Sequence, residues 1–583
     1  VLVRIGGMAR LFASVVVLSA FVGCTVPDGG GEAADSVPAG SADLWAAYLR
    51  GRIAQDSADE AGALGAFSAA LAEDPTSEEL QLRVMALATS EGRLDLALPI
   101  ARNLARSGGA SGLAEILLAT DAVKRGNRTE AVAAGIGIPG TGFFGLAGGL
   151  IRAWTLMVPP ADPDGALAEI DKLDDHSGLG DLQGALIADL AGRKDEATKR
   201  FKAALARGTA PLRLTQLAGN FFERSGDTAG ASALYDRYAA GNTGGLGFTP
   251  ALSTAGPPAP LVADARHGLA EALFDLASLT REAQVPELAL ITIRLSLDLA
   301  PDSGLAAIVL ADAMEAEHRP AEALAVYRGI DPHSPLGWTA RLREAALLDA
   351  TGDHDGGIAL LRALAAERPD RPEPVILLGD ILRDHDDDRG AVEAYGEALD
   401  RVGADPKSRY WSLHFSRGVA LERLGDWARA EPELRAALAA RADDAAILNY
   451  LGYSLVDRGV KLDEALNLIE RAVALRPRDG AYVDSLGWAY FRLRDYDKAE
   501  RTLERAVELL PSDPEVTEHL GDAYWQGGRK SEARLQWRRA LDLAPKPDMA
   551  KRLTAKLDHP PALVPGSKPP KPAAKPAAKP SAS

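Results

Sequence analysis

Residues 486–511 read LGWAYFRLRDYDKAERTLERAVELLP, and the scheme returns at 520–545 as LGDAYWQGGRKSEARLQWRRALDLAP. Gly487 and Gly521, Ala499 and Ala533, Ala506 and Ala540, and Pro511 and Pro545 each stand 34 residues apart. On helical spacing, Leu486, Gly487 and Tyr490 share one face of a first helix, and Ala499, Leu503 and Ala506 one face of a second. The Gly and Ala are small where two helix backbones approach. Tyr490 and Leu503 fill the space between them, and Pro511 cannot continue a helix and ends the second one. The unit before keeps Ala465 and Pro477 on the 34-residue period but sets Gly452 35 residues ahead of Gly487.

The template extends backward in looser copies: Gly418, Ala430, Leu434 and Ala437; Gly379, Ala391, Tyr395 and Ala398; Ala311, Ala323 and Tyr327; and, near the start, Gly51, Ala63, Phe67, Ala70 and Pro75. A 34-residue period with Gly, Ala, Ala and Pro in this order resembles the tetratricopeptide repeat, a helix–turn–helix unit. The expected fold is therefore all-α, a tetratricopeptide-repeat α-solenoid forming a right-handed superhelix of roughly twelve to fourteen pairs, each burying its face only against its neighbours. A degenerate array is expected over 44–240, a middle array over 263–444 and a well-formed one over 445–556. The Gly/Pro-rich stretch 241–262 between the first two reads as a loop or a joint.

Composition restricts the partners. The 583 residues hold 65 Lys+Arg against 82 Asp+Glu, a net charge of −17, and one Cys. A single Cys excludes disulfide scaffolds and thiolate metal sites, and the acidic balance argues against broad nucleic-acid binding, so protein or peptide partners are expected. Arg4, Arg10 and the uncharged run Leu11–Val22 read as a signal peptide over 1–23, with Met8 opening a tighter version of it. It ends in FVGC, which resembles the bacterial lipobox, and the resemblance implies lipidation of Cys24. Phe21 departs from the usual Leu. In the sorting logic that this resemblance implies, Thr25 in place of Asp permits passage to the outer membrane, and a periplasmic position there is expected. Residues 24–43 are Gly-rich and polar and read as a flexible tether; 557–583 read as a disordered Pro/Lys/Ala tail.

Catalytic signatures fail on inspection. Gly135, Gly137 and Gly140 have dinucleotide-fingerprint spacing but lack a preceding strand and carry Pro139 where a helix should begin. No P-loop or HExxH occurs, and the acidic run Asp384–Asp388 lacks the Gly and closing Glu of a calcium loop. No cofactor, metal or enzymatic activity is expected. What remains is the groove lined by the first helices, into which Asn449, Tyr453, Asp484, Trp488, Glu518 and Asp522 point, with Trp525 one turn on. Aromatics beside carboxylates suit an extended peptide; for Tyr453, Trp488 and Trp525 core packing between repeats is the alternative.

Residues 445–547 resemble the C-terminal part of a proteobacterial family of tetratricopeptide-repeat lipoproteins. One branch of that family includes the lipoprotein partner of a periplasmic carboxyl-terminal processing protease, to which it brings peptidoglycan hydrolases. The resemblance implies a non-catalytic adaptor. The alternative is a scaffold of an envelope assembly or polysaccharide-export machine. The Lys and Asn set by which chaperone-binding repeats clamp a C-terminal carboxylate is missing, since Asp484 and Trp488 hold those places.

Overall fold

Each unit folds as two packed helices because its sequence supplies a start, a close approach and a stop. Asp444, Asp479 and Asp513 each accept two backbone N–H groups at the head of a first helix, satisfying donors that the helix itself leaves unpaired. A Cβ at Gly487 would lie 2.5 Å from the Leu503 side chain, one at Gly521 2.5 Å from Trp537, one at Gly379 2.6 Å from Tyr395, and one at Gly51 2.8 Å from Phe67. In each case the large residue follows its glycine by 16 positions. Only a residue without a side chain admits the partner helix at that distance, and Leu503, Trp537, Tyr395 and Phe67 are fully buried there.

The computed structural model describes residues 42–57, 59–108, 111–173, 178–207, 210–241, 252–253, 256–283, 285–402 and 410–564, and all regular structure among them is helical. The first pairs are α1 (Ala42–Asp56) with α2 (Glu60–Glu73), α3 (Glu78–Ser90) with α4 (Leu94–Ser107), α5 (Gly112–Lys124) with α6 (Arg128–Gly137), and α7 (Gly142–Leu156) with α8 (Pro163–Asp171). They continue as α9 (Leu179–Leu190) with α10 (Lys194–Leu205), α11 (Leu212–Arg224) with α12 (Thr228–Gly241), α13 (Ala265–Glu282) with α14 (Pro286–Leu299), and α15 (Gly304–Ala316) with α16 (Pro320–Gly329). Next come α17 (Gly337–Ala350), α18 (His354–Glu367), and the pairs α19 (Glu373–Asp384) with α20 (Asp388–Val402) and α21 (Trp411–Arg423) with α22 (Trp427–Ala440). The last are α23 (Ala445–Arg458) with α24 (Leu462–Leu475), α25 (Gly480–Arg492) with α26 (Tyr496–Leu509), and α27 (Pro514–Gln526) with α28 (Lys530–Asp542), closed by α29 (Pro547–Asp558). No described helix is long and apolar enough to cross a membrane. Gly135 and Gly137 lie in α6 and Gly140 in the turn before α7, so the fingerprint-like spacing joins two helices.

The chain divides inside α18 into two compact units, 1–357 and 358–583. Of the two readings of 241–262, a loop or a joint, this division agrees with the loop, since the stretch falls within the first unit. Its physical cause is a fold-back: α13 packs on α5, α7 and α9, and α14 on α3 and α5, all of them first helices of earlier pairs. These pairs therefore do not bury their faces only against their neighbours. At the centre, Trp154 of α7 is fully buried, and a Cβ at Gly268 of α13 would meet its ring at 2.0 Å. Trp154 Nε1 donates to Gln183 Oε1 at 2.8 Å, and Gln183 Nε2 donates to Asp275 Oδ2 at 2.7 Å. Arg213 of α11 pairs with Glu271 of α13. Toward the start of the unit, Arg294 of α14 donates to the Ser90 carbonyl at 3.1 Å and Lys124 pairs with Asp298 at 2.7 Å.

The second unit is the regular one. Its pairs stack in chain order from α19 to α28, and α29 follows α28 as the first helix of a further unit would. The expected domain edges shift slightly: Ala42 and Asp43, assigned to the tether, belong to α1, and the helix expected to end before 557 runs to Asp558.

Candidate functional site

The first helices α23, α25 and α27 carry the seven groove residues read from the sequence, and the structure sorts them into three groups. Asn449, Tyr453 and Asp484 line a recess of about 240 Å³, together with Ser485, Glu515 and Val516. The Asn449 Oδ1 is buried without a hydrogen-bond partner. Burial, reinforced by the Glu515 and Asp484 carboxylates, pushes the Tyr453 hydroxyl above its ordinary range. Among the described residues neither that hydroxyl nor the Glu515 carboxylate makes a hydrogen bond. An acceptor-rich recess with an aromatic wall suits a cationic or N–H-bearing group.

Trp488 is half-buried, and its contacts favour the packing alternative over the open anchor. Its indole is stacked on Phe491 at 4.6 Å and on His519 at 4.2 Å between ring centroids. The two partners make no ring contact with each other, so they cover opposite faces. His519, which sequence reasoning missed, lies with its Nδ1 3.0 Å from Asp484 Oδ2. Burial opposes its charge, yet Asp484 outweighs burial and holds the imidazole up at about 9. Asp484 is thus half of a buried ion pair as well as part of the recess wall. The Trp488 Nε1 is buried without a partner.

Glu518 and Asp522 are covered by α29 rather than open, a correction. Arg552 donates to Glu518 at 2.8 and 2.7 Å, and Lys556 bonds Glu518 at 2.7 Å and Asp522 at 2.6 Å. Burial raises the Glu518 carboxyl, but these two cations outweigh it and hold the group below its usual range. Asp522 also accepts from Trp537 Nε1 at 2.9 Å. The signal for this cover was in the sequence: Arg552 and Lys556 stand 34 residues beyond Glu518 and Asp522, the repeat period carried one step further. Trp525, mostly buried, donates its Nε1 to the Pro561 carbonyl at 2.7 Å. Residues 559–564 of the expected disordered tail are therefore placed against α27, also a correction. Cys24 and residues 565–583 lie outside the described residues.

In the acidic run, Asp387 accepts from Gly390 N at the head of α20, and Arg423 pairs with Asp386 and Asp388.

Paired helices with a glycine seated on a large residue 16 positions on, and a recess on the first helices, define a repeat scaffold for protein–protein contact. The tetratricopeptide repeat family model matches residues 376–445, 415–480 and 485–548, so the second unit carries tetratricopeptide repeats. A TPR repeat-containing protein of Pseudomonas aeruginosa is 32% identical over 171 residues, 28% of this chain and 28% of that protein's length. Among solved structures, MamA from Desulfovibrio magneticus is similar at 21% identity, covering 30% of this chain and 97% of its own, with a TM-score of 0.27. YrrB, a TPR protein with an unusual peptide-binding site, matches at 19% identity over 33% of this chain and 97% of its own, TM-score 0.27. The APC/C hetero-tetramer Cut9–Hcn1 matches at 14% identity over 88% of this chain and 96% of its own, TM-score 0.37.

Proposed function

We propose that the protein is a non-catalytic adaptor, held by lipid on Cys24 at the periplasmic face of the outer membrane, whose C-terminal repeats take up an extended peptide carrying a basic side chain. The observation that carries the peptide reading is the recess between α23, α25 and α27, with the unpartnered Asn449 Oδ1 and the Glu515 carboxylate in its wall. A lysine or arginine head would satisfy both acceptors and stack along Tyr453. The lipid anchor is supported by the lone Cys at the exit of an apolar run. The resemblance to the lipoprotein family supplies the partner class, a periplasmic carboxyl-terminal processing protease and the cell-wall hydrolases brought to it.

Two measurements test this. An array of extended peptides with Lys or Arg replaced one at a time by Gln, overlaid with the mature chain, should lose signal at the basic position, and Asn449→Leu with Glu515→Gln should lose the same spots. Equal binding of Lys and Gln peptides sinks the recess reading. In cells, an alkyne fatty acid should label the wild type and not Cys24→Ser; a Ser variant that still sediments with membranes after a high-salt wash refutes the anchor.

A further inference from the structure

The last turn of α27 holds a second peptide-reading element, and the chain's own residues fill it. Gln526 Nε2 donates to the Ala562 carbonyl at 3.3 Å, and Gln526 Oε1 accepts the Val564 N–H at 3.0 Å. Next to it, Trp525 Nε1 donates to the Pro561 carbonyl at 2.7 Å. In an extended strand the C=O of one residue and the N–H of the residue two further on lie along the same edge. A single carboxamide that meets both therefore grips backbone in an extended conformation, with no demand on the side chains. Its donor and acceptor are matched to that edge and to nothing on a helix, whose backbone groups are already paired.

The register shows why this strand is there. Glu518 and Asp522 meet Arg552 and Lys556 one period on, so α29 stands where the first helix of a further unit would begin. Pro560 and Pro561 stop it after Asp558, because proline lacks the N–H and disfavours helix at the residue before it. The chain instead runs past Trp525 and Gln526 without completing the unit.

We infer that Trp525 and Gln526 form a backbone-reading site for an extended, proline-bearing peptide, and that residues 559–564 are a built-in competitor which an incoming segment must displace. The inference rests on the peptide-binding reading above and adds a second, sequence-tolerant grip on the same first-helix face. Tethering the competitor to α29 gives it a high effective concentration, so a free segment of equal chemistry binds the full chain weakly.

The test uses a chain ending at Asp558, which keeps α29 with Arg552 and Lys556, and a fluorescent synthetic peptide HPPALVPG, the sequence of residues 559–566. Anisotropy should show saturable binding to the shortened chain and binding at least about tenfold weaker to the full chain. Methylating the peptide nitrogen that corresponds to Val564 removes one hydrogen bond and should cost about tenfold. Gln526→Leu in the shortened chain should do at least as much. The methylated peptide leaves the protein untouched, so its effect cannot come from misfolding. No binding to the shortened chain at about millimolar peptide, or equal binding of the two peptides, overturns the inference. This readout needs no partner and no Lys or Arg, so a silent Lys/Arg-peptide array beside a bound HPPALVPG would separate failure of the recess reading from failure of this one.

Discussion

Trp488 lies ring on ring with His519, 4.2 Å between centroids, while Asp484 holds that imidazole from its edge. Two adjacent repeats are thus joined by a charge, a hydrogen bond and an aromatic face at one point. The arrangement fixes how the joint responds to pH. His519 titrates at about 9 in the folded chain against 6.5 as its ordinary value. The folded state therefore binds the proton more tightly, and the contribution to stability is fully present below pH 6.5 and lost as pH rises through 9. The melting temperature of the wild type should fall between pH 7 and 10, and His519→Gln should flatten that fall. Parallel curves for the two proteins would contradict the pair.

With both faces covered, Trp488 contributes to stability rather than to capture. Trp488→Ala should cost about 3–5 kcal/mol in chemical denaturation of the second unit, in the range of buried aromatic truncations. Binding should fail only to the extent that the repeat melts. A variant that melts like the wild type and loses peptide binding would restore the indole to the groove.

The glycine positions make a sharper test of packing. A Cβ on Gly487 would stand 2.5 Å from Leu503 and 3.3 Å from the Leu503 backbone nitrogen. Gly487→Ala should cost about 1–3 kcal/mol as an overpacking change. Combining it with Leu503→Ala should cost less than the sum of the two single changes, because the new methyl occupies part of the vacated space. Strict additivity in urea titrations would show that the two residues do not share that space.

The fold of the second unit was readable because its information is local. Glycine, the large residue 16 positions on, two alanines and a proline sit inside one period, so a single sequence carries the pattern. The fold-back of α13 and α14 joins residues such as Ser90 and Arg294, 204 positions apart, and leaves no period to find. One trace of it was present: α7, GFFGLAGGLIRAWTL, is apolar around most of its circumference, as a helix covered on several sides must be. At the site, position within the repeat placed the seven residues on the first helices α23, α25 and α27. Whether an aromatic on such a helix faces the groove or a neighbouring ring depends on residues one repeat away, and Trp488 was decided by His519.

The fold-back yields a test of the first unit's unity. If α13 and α14 belong to it, one cut in 241–262 should not release them. A nicked chain should elute at the size of the intact one in native gel filtration and separate only in denaturant. Independent elution of the two fragments would return 241–262 to the status of a joint.

Asp275 supplies the last prediction, in the heart of that packing. It accepts from Gln183 Nε2 at 2.7 Å, and burial, aided by the neighbouring Glu271 carboxylate, pushes its carboxyl up to about 7. An ordinary aspartate titrates at 3.8. Here the folded chain holds the proton more tightly than the unfolded one, so stability is greatest below pH 3.8 on this account and is lost as pH rises toward 7. Above 7 the folded chain carries a desolvated carboxylate beside Glu271, and Arg213, already paired with Glu271, offsets only part of it. Asp275→Asn keeps an oxygen to accept from Gln183 and removes the charge. It should raise the melting temperature at pH 8, by the equivalent of about 1–3 kcal/mol, and leave it little changed at pH 4. A loss of stability at pH 8 would mean that the charge is held by Arg213 and that the carboxylate stabilises the contact between α9 and α13.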